Sequence, residues 1–282
     1  MDFFYLRGNH DKSMKDEELP NLKTFSKEWT YYRYGKVVFA GIELSSENSL
    51  SLYSSLRLNA DDVNIVIMHG DITESACEYK IKLALLKDKN IDYLALGHIH
   101  SASAKPLHSA SAKPLGNRGI AQYSGCLEGR GFDEPREKGF FEINVDENAK
   151  KLNYNFVSLS ARTIYQYKID VSNAKNQFDV QSFVNNTIKA KSSDIISIEL
   201  VGERIYTDEN IAYDITAYLN NSYFFASVKD KTIKKYKAED FAGDKSLKGE
   251  FVRQVLASDL PEDQKSNVIE LGLKALSGRE VD

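Results

Sequence analysis

Cysteine is scarce in this chain, and long apolar runs are lacking. Cys77 and Cys126 are the only two cysteines among 282 residues, too few for the disulfide framework of a small secreted domain, so a reducing, cytoplasmic location is expected. No apolar run approaches the ~18 residues that indicate a membrane helix. The N-terminus also lacks the charged region and apolar stretch of an export signal. The sequence therefore predicts neither membrane insertion nor export.

An excess of either charge is also lacking. Residues 1–160 contain 20 Lys and Arg against 22 Asp and Glu, and residues 161–282 contain 17 against 19. Neither half has the composition of a basic nucleic-acid-binding module, so contact with DNA would have to come from a local patch. The length allows one or two domains with a sizeable core.

Histidine is unevenly distributed, because all five lie within the first 108 residues. Three apolar stretches each run into a polar loop: residues 3–6 into RGNHD at 7–11, 63–68 into HG at 69–70, and 93–96 into GHIH at 97–100. Each stretch predicts a short buried strand. If the backbone stays extended beyond the third strand, His98 and His100 point the same way, which suits a shared metal cluster.

GNHD, HG and GHIH, in this order, resemble the last three motifs of the calcineurin-like metallophosphoesterases. The segment YSGCLEGRGFD at 123–133 and the C-terminal half resemble the DNA-repair exonuclease branch, the SbcD/YhaO type. Members of that family begin with a D-x-H motif and then a G-D motif, and neither precedes GNHD in this sequence. The resemblance therefore implies a phosphoesterase domain truncated at its N-terminus.

The resemblance also implies a two-metal mechanism, in which two divalent ions, with Mn²⁺ favoured, activate water and clamp the phosphate oxygens. The family positions assign Asn9, His69 and His98 to the second metal and His100 to the first. His10 would stabilise the phosphate and protonate the leaving alkoxide, and Asp11 would orient its ring. By this count the second metal keeps three of four protein ligands and the first keeps one of four, so impaired activity is expected.

The segment 100–130 is the candidate for contact with the DNA backbone, and its predicted nucleic-acid-binding residues are Lys105, Arg118 and Arg130. A solvated loop is the alternative interpretation. A perfect tandem repeat, HSASAKPL at 100–107 and again at 108–115, falls in this segment and is interpreted as a duplication tolerated in a loop. His108 follows Pro106-Leu107 rather than a strand-ending glycine and is not assigned to the metal site.

Alternating strands and helices predict the α/β class. The resemblance specifies a layered α-β-β-α metallophosphoesterase domain, incomplete at its N-terminus, over residues 1–160, then a small α/β capping domain over 161–232 and a C-terminal helical segment over 233–282. A β-hairpin at 29–44 and strands at 119–124, 139–145 and 152–159 are expected to form a second sheet. Helical spacing occurs at 46–61 and 78–89.

The most direct functional prediction is a DNA-repair exonuclease subunit that hydrolyses phosphodiester bonds. The family pairs such a subunit with a coiled-coil ATPase, and a homodimer is a further candidate assembly. Two alternatives stay open. One is a phosphatase or nucleotidase of the same superfamily, against which the C-terminal half argues. The other is a non-catalytic subunit that docks the ATPase, which the absent ligands favour for this polypeptide.

Strand 3–6 is apolar at every position, as expected of a strand that is covered on both faces. Without the strands that precede it in the family, it would become an edge with exposed aromatic side chains. Residues 1–158 are therefore expected to be less stable than the C-terminal part.

Overall fold

The computed structural model describes residues 1–11, 19–72, 79–102, 112–204 and 210–278. The chain forms two compact units, Met1–Ala161 and Arg162–Asp282. Both units combine strands with helices, so the predicted α/β class is confirmed. Among the helices in these ranges, none is long and apolar enough to cross a membrane.

The first unit is built on a six-stranded sheet. The strands of the whole unit, inside and outside this sheet, are β1 (Phe3–Tyr5), β2 (Leu22–Thr24), β3 (Thr30–Tyr34), β4 (Val37–Gly41), β5 (Val63–His69), β6 (Tyr93–Gly97), β7 (Lys113–Leu115), β8 (Gly119–Tyr123), β9 (Gly139–Asp146) and β10 (Lys151–Ser158). The unit also contains a short helix, α1 (Ser51–Ser55). The sheet order is β3-β4-β5-β6-β8-β7, and β4, β5, β6 and β8 run parallel. Separate pairs are formed by β1 with β2 and by β9 with β10.

Strands β5 and β6 lie in the middle of the sheet and are covered on both faces. A large cluster that includes Val66 and Leu94 packs against one face, and a smaller one around Ile65 and Tyr93 packs against the other. Strands buried on both sides consist of continuous apolar runs. This is why both strands can be predicted from the sequence alone.

Strand β1 pairs outside the six-stranded sheet. Its three residues bond to β2, and the Phe4 ring stacks on Phe39 with the ring centroids 4.5 Å apart. Further rings around Phe4 are those of Phe25, Tyr32 and Tyr34. Phe3, by contrast, is 53% exposed. One side of β1 is therefore anchored by aromatic packing, while its other side is open to solvent.

The second unit contains β11 (Ile164–Asp170), α2 (Gln177–Thr187), β12 (Ile195–Val201), β13 (Glu203–Arg204), α3 (Ile211–Asn220), β14 (Phe225–Asp230), β15 (Ile233–Lys234), α4 (Leu247–Leu256) and α5 (Glu262–Leu276). A parallel sheet of order β11-β12-β14 packs against α2 and α3. Asn176 starts α2 because its side chain accepts hydrogen bonds from two backbone N–H groups of the first turn. Helices α4 and α5 pack around the buried Val252 and Ile269.

Three expectations about the first unit are wrong. Hairpin β3–β4 does not belong to a second sheet, because β4 pairs in parallel with β5, and β8 likewise pairs with β6. The helix expected at 78–89 is reduced, in its described part, to a 3₁₀ turn at Leu83–Leu85. Ile81 donates its N–H to the Asp71 carbonyl, and Asp71 donates to the Tyr79 carbonyl. Extended backbone pairing therefore takes the place of the helix. The helix expected at 46–61 is likewise only the five residues of α1.

We predict uneven protection of backbone amides. Strand β1 is bonded to one partner over three residues, whereas β12 is bonded on both sides by β11 and β14. Opening β1 breaks few hydrogen bonds, so the amide of Tyr5 should exchange at least ~100-fold faster than that of Ile198 in native-state hydrogen exchange. Limited proteolysis should likewise leave a core that begins near Ser160. Equal protection of the two amides would contradict this prediction.

Candidate active site

The pairing register of β5 and β6 creates the site. His69, the last residue of β5, lies opposite Gly97, the last residue of β6, and the Gly70 N–H donates to the Gly97 carbonyl at 3.2 Å. His98 follows directly, so its ring centroid is 5.2 Å from that of His69, with the planes at 79°. Both rings thus lie at the carboxyl ends of parallel strands, where α/β sheets usually bind ligands.

Two glycines make room for the His69 ring. A Cβ atom at Gly8 would lie 2.6 Å from His69 Cε1, and a Cβ atom at Gly97 would lie 2.9 Å from His69 Nδ1. Any larger residue at either position would have to displace the ring. GNHD and GHIH therefore need glycine at positions 8 and 97, because the His69 ring lies between these two residues.

Asn9 lies beside the same ring, with its Oδ1 atom 2.9 Å from His69 Nε2. Two ligand atoms that each bind one metal ion at ~2.1 Å are about 3.0–3.4 Å apart at octahedral or tetrahedral angles. The Asn9–His69 separation is close to that spacing. The structure thus brings together Asn9, His69 and His98, the three residues assigned from the sequence to the second metal.

The electrostatics of His69 suit a neutral ligand. Burial lowers the pKa of His69 below its usual value, and the neighbouring His98 lowers it further. A neutral imidazole keeps a nitrogen lone pair, which metal binding requires.

The backbone at His98 differs from the expectation of an extended segment. His98 has a φ of +105°, a conformation that residues other than glycine rarely adopt. His98 and His100 nevertheless line the same pocket of about 520 Å³, together with Gly8, Asn9, His10, Asp11, His69 and Arg130. Residues held in such conformations at a cost of ~1–3 kcal/mol cluster at functional sites.

His100 is held by Glu134, a residue that sequence analysis missed. The His100 Nδ1 atom lies 2.5 Å from Glu134 Oε1, and Glu134 is only 6% exposed. Burial raises the pKa of the Glu134 carboxyl, but hydrogen bonds from Arg130 and His100 outweigh it and lower the pKa to about 2. Lys138, also buried, donates from Nζ to the His100 carbonyl at 2.8 Å. Glu134 directly follows the YSGCLEGRGFD segment, which was the one available signal.

Asp11 has a different role from the expected one of orienting His10. The Asp11 carboxylate accepts the Gly8 N–H at 2.8 Å, and the Asp11 N–H donates to the Gly8 carbonyl at 3.2 Å. Burial raises the pKa of the Tyr5 phenol, and the charge of the Asp11 carboxylate and its hydrogen bond with that phenol raise it further. Within the described ranges Asp11 forms no hydrogen bond to His10. Asp11 therefore closes the GNHD turn, while His10 lines the pocket.

Of the three basic residues predicted to contact DNA, the two that the structure describes are not brought together. Arg118 lies at the amino end of β8, where its guanidinium bonds both carboxylate oxygens of Asp92, at 2.7 and 2.9 Å, and the carbonyls of Ala60 and Asp62. The site is at the opposite ends of these strands, and Arg118 does not line its pocket. Lys105 lies outside the described residues. Arg130 does line the pocket.

The donor set fits one metal position. No group of three or more His, Cys, Asp or Glu side chains in the described part of the chain is placed to hold a metal ion, so His100 does not join His69 and His98 in a three-histidine site. Asn9 supplies the third donor beside those two rings. Among the described residues, Asn9, His69 and His98 could therefore hold one ion, and His100 is the one residue that the sequence assigns to a second.

Comparison with known families agrees with this geometry. Residues 1–102 match the model of the calcineurin-like phosphoesterase family. The match contains all three motif loops and supports the metallophosphoesterase superfamily for this region. Members of that superfamily generally bind divalent metal ions and hydrolyse phosphoesters. No curated protein matches the chain.

We predict that Arg118 contributes to stability and not to DNA affinity. Arg118→Lys keeps the positive charge but loses the two-pronged contact with Asp92, so the free energy of unfolding of the first unit should fall by about 1–3 kcal/mol. Urea denaturation would measure the loss, and the same change at the exposed Arg136 should cost less than about 0.5 kcal/mol. Unchanged stability together with weaker DNA binding would restore the original assignment.

Proposed function

We propose that this chain is a metal-dependent phosphodiester hydrolase that acts on DNA in the cytoplasm as a repair exonuclease subunit. The observation that carries the proposal is the grouping of Asn9, His69 and His98 at the carboxyl ends of β5 and β6. The family match supports phosphoester hydrolysis in general. The choice of DNA is supported by the exonuclease-like segment at 123–133 and by Arg130 at the pocket.

Five residues of the pocket have a chemical role in this proposal. A divalent ion at Asn9, His69 and His98, with Mn²⁺ proposed, would lower the pKa of bound water and neutralise phosphate charge. An oxygen donor with imidazoles and no thiolate suits Mn²⁺, Fe²⁺ or Zn²⁺. His10 would protonate the leaving oxygen. The Arg130 guanidinium would donate hydrogen bonds to phosphate oxygens.

The same geometry limits turnover by the described residues. Two-metal phosphodiesterases hold ions ~3.5–4 Å apart and activate the water between them. In this proposal one position has Asn9, His69 and His98 as donors, and the other has His100 alone among the described residues. We therefore propose that this chain binds metal and a phosphate group but by itself hydrolyses DNA no faster than a His10→Ala variant.

A second candidate is a non-catalytic subunit that docks a coiled-coil ATPase. It is favoured by the incomplete second metal position and by apolar side chains on α4 and α5. Leu247 is 72% exposed, Leu271 45% and Leu276 40%, and such leucines suit contact with an apolar helical partner. This candidate shares the fold of the first but has no catalytic role, so DNA cleavage that depends on His10 would reject it.

The first experiment concerns metal binding. His69→Ala and His98→Ala should each weaken Mn²⁺ binding by at least ~10-fold, because each removes one of three ligands. His10→Ala removes a matched imidazole from the same pocket without removing a ligand and should leave the affinity unchanged. Titration calorimetry measures all four proteins. Equal affinities in all four would contradict the proposed metal position.

The second experiment concerns catalysis. Linear DNA with Mn²⁺ should be cleaved no faster by the wild-type chain than by His10→Ala, because in this proposal only one of the two metal positions has a set of three ligands. Fast cleavage that His10→Ala abolishes would show that the second position is complete and would reject the non-catalytic candidate. Cleavage of a phosphomonoester but not of DNA would favour a phosphatase or nucleotidase.

A further inference from the structure

One buried carboxylate connects two residues of the pocket. Glu134 Oε1 lies 2.5 Å from His100 Nδ1 and 3.1 Å from Arg130 Nη2. Glu134 Oε2 accepts the Arg130 backbone N–H at 3.0 Å and lies 3.7 Å from Cys126 Sγ. The side chain is only 7% exposed. Both carboxylate oxygens of Glu134 thus have partners.

The contact distances determine which His100 nitrogen carries the proton. A carboxylate is only an acceptor, so a nitrogen 2.5 Å away must donate, and Nδ1 is protonated. Arg130 Nη2, at 3.3 Å from the same Nδ1, then has Glu134 Oε1 as its acceptor, because a protonated Nδ1 cannot accept. In the neutral ring, Nε2 is left with its lone pair.

The backbone of His100 is fixed as firmly as its ring. Its carbonyl accepts a hydrogen bond from Lys138 Nζ at 2.8 Å, and Lys138 is only 2% exposed. The Cys126 thiol lies 3.4 Å from the same carbonyl. Glu134, Lys138 and Cys126 all belong to the segment between β8 and β9. This one segment therefore contacts both the ring and the backbone carbonyl of His100.

We propose that Glu134 is a positioning residue that keeps His100 in the Nδ1–H tautomer, with Nε2 open to the pocket, and holds Arg130 beside it for a phosphate group. One part of the inference rests on the proposed function: the ligands that Nε2 and Arg130 would contact, a metal ion and a phosphate group. Carboxylates that accept the second N–H of a ligating histidine fix its tautomer and orientation in known metal sites. Glu134 would do so without contacting metal or substrate.

The test is the protonation state of the His100 nitrogens in metal-free protein labelled with ¹⁵N-histidine. Long-range ¹H–¹⁵N correlation spectra distinguish the two tautomers, and the His100 signals are identified by their loss in His100→Asn. At a pH where the ring is neutral, wild-type His100 should be protonated at Nδ1. Glu134→Leu removes the acceptor and should move the proton mainly to Nε2. Glu142→Leu, the same change at an exposed residue of β9, should leave His100 as in the wild type.

Two results would overturn the inference: Nε2–H on His100 in the wild type, or an unchanged tautomer in a folded Glu134→Leu protein. If Glu134→Leu does not fold, the wild-type spectrum still decides. Because neither metal nor DNA is present, the result is independent of the proposed function. A chain that binds no Mn²⁺ but shows the Nδ1–H tautomer would refute that function and leave the role of Glu134 standing.

Discussion

The register between β5 and β6 is the constraint on which the site depends. A slip of one residue would turn His69 to the other face of the sheet and separate it from His98. The register is fixed at the far ends of the same strands, where the Asn64 N–H donates to Asp92 Oδ2 at 2.7 Å and Arg118 bonds both Asp92 oxygens. Arg118 thus contacts the strands at the end opposite the site.

Steric fit around His69 is the second constraint. The ring has a glycine on the GNHD loop and another at the end of β6, each too close for a side chain. This confinement shields part of the ring from water, lowers its pKa and leaves Asn9 as the polar partner of Nε2. Packing and electrostatics therefore act together, since the crowding that fixes the ring also keeps it neutral.

The features that sequence analysis predicted are those that depend on local pattern. Continuous apolar runs indicate β5 and β6, and a polar loop after each run indicates the position of His69 and His98. The errors come from long-range pairing. Nothing local shows that β4 pairs with β5, or that backbone bonds to Asp71 replace a helix beyond Tyr79. Glu134 was missed for the same reason, because its partner His100 is 34 residues away.

The charge balance of the pocket connects these observations to the choice of ligand. Asn9, His69 and His98 are neutral donors, so an ion bound there would keep its full double charge. The nearest carboxylates are engaged elsewhere, Asp11 by Gly8 and Glu134 by Arg130 and His100, so they would offset the charge of the ion only from a distance. A cation without a charged ligand favours an anionic partner. A phosphate group meets that requirement, and the neutral ligand set therefore argues for a phosphoester more directly than any single residue does.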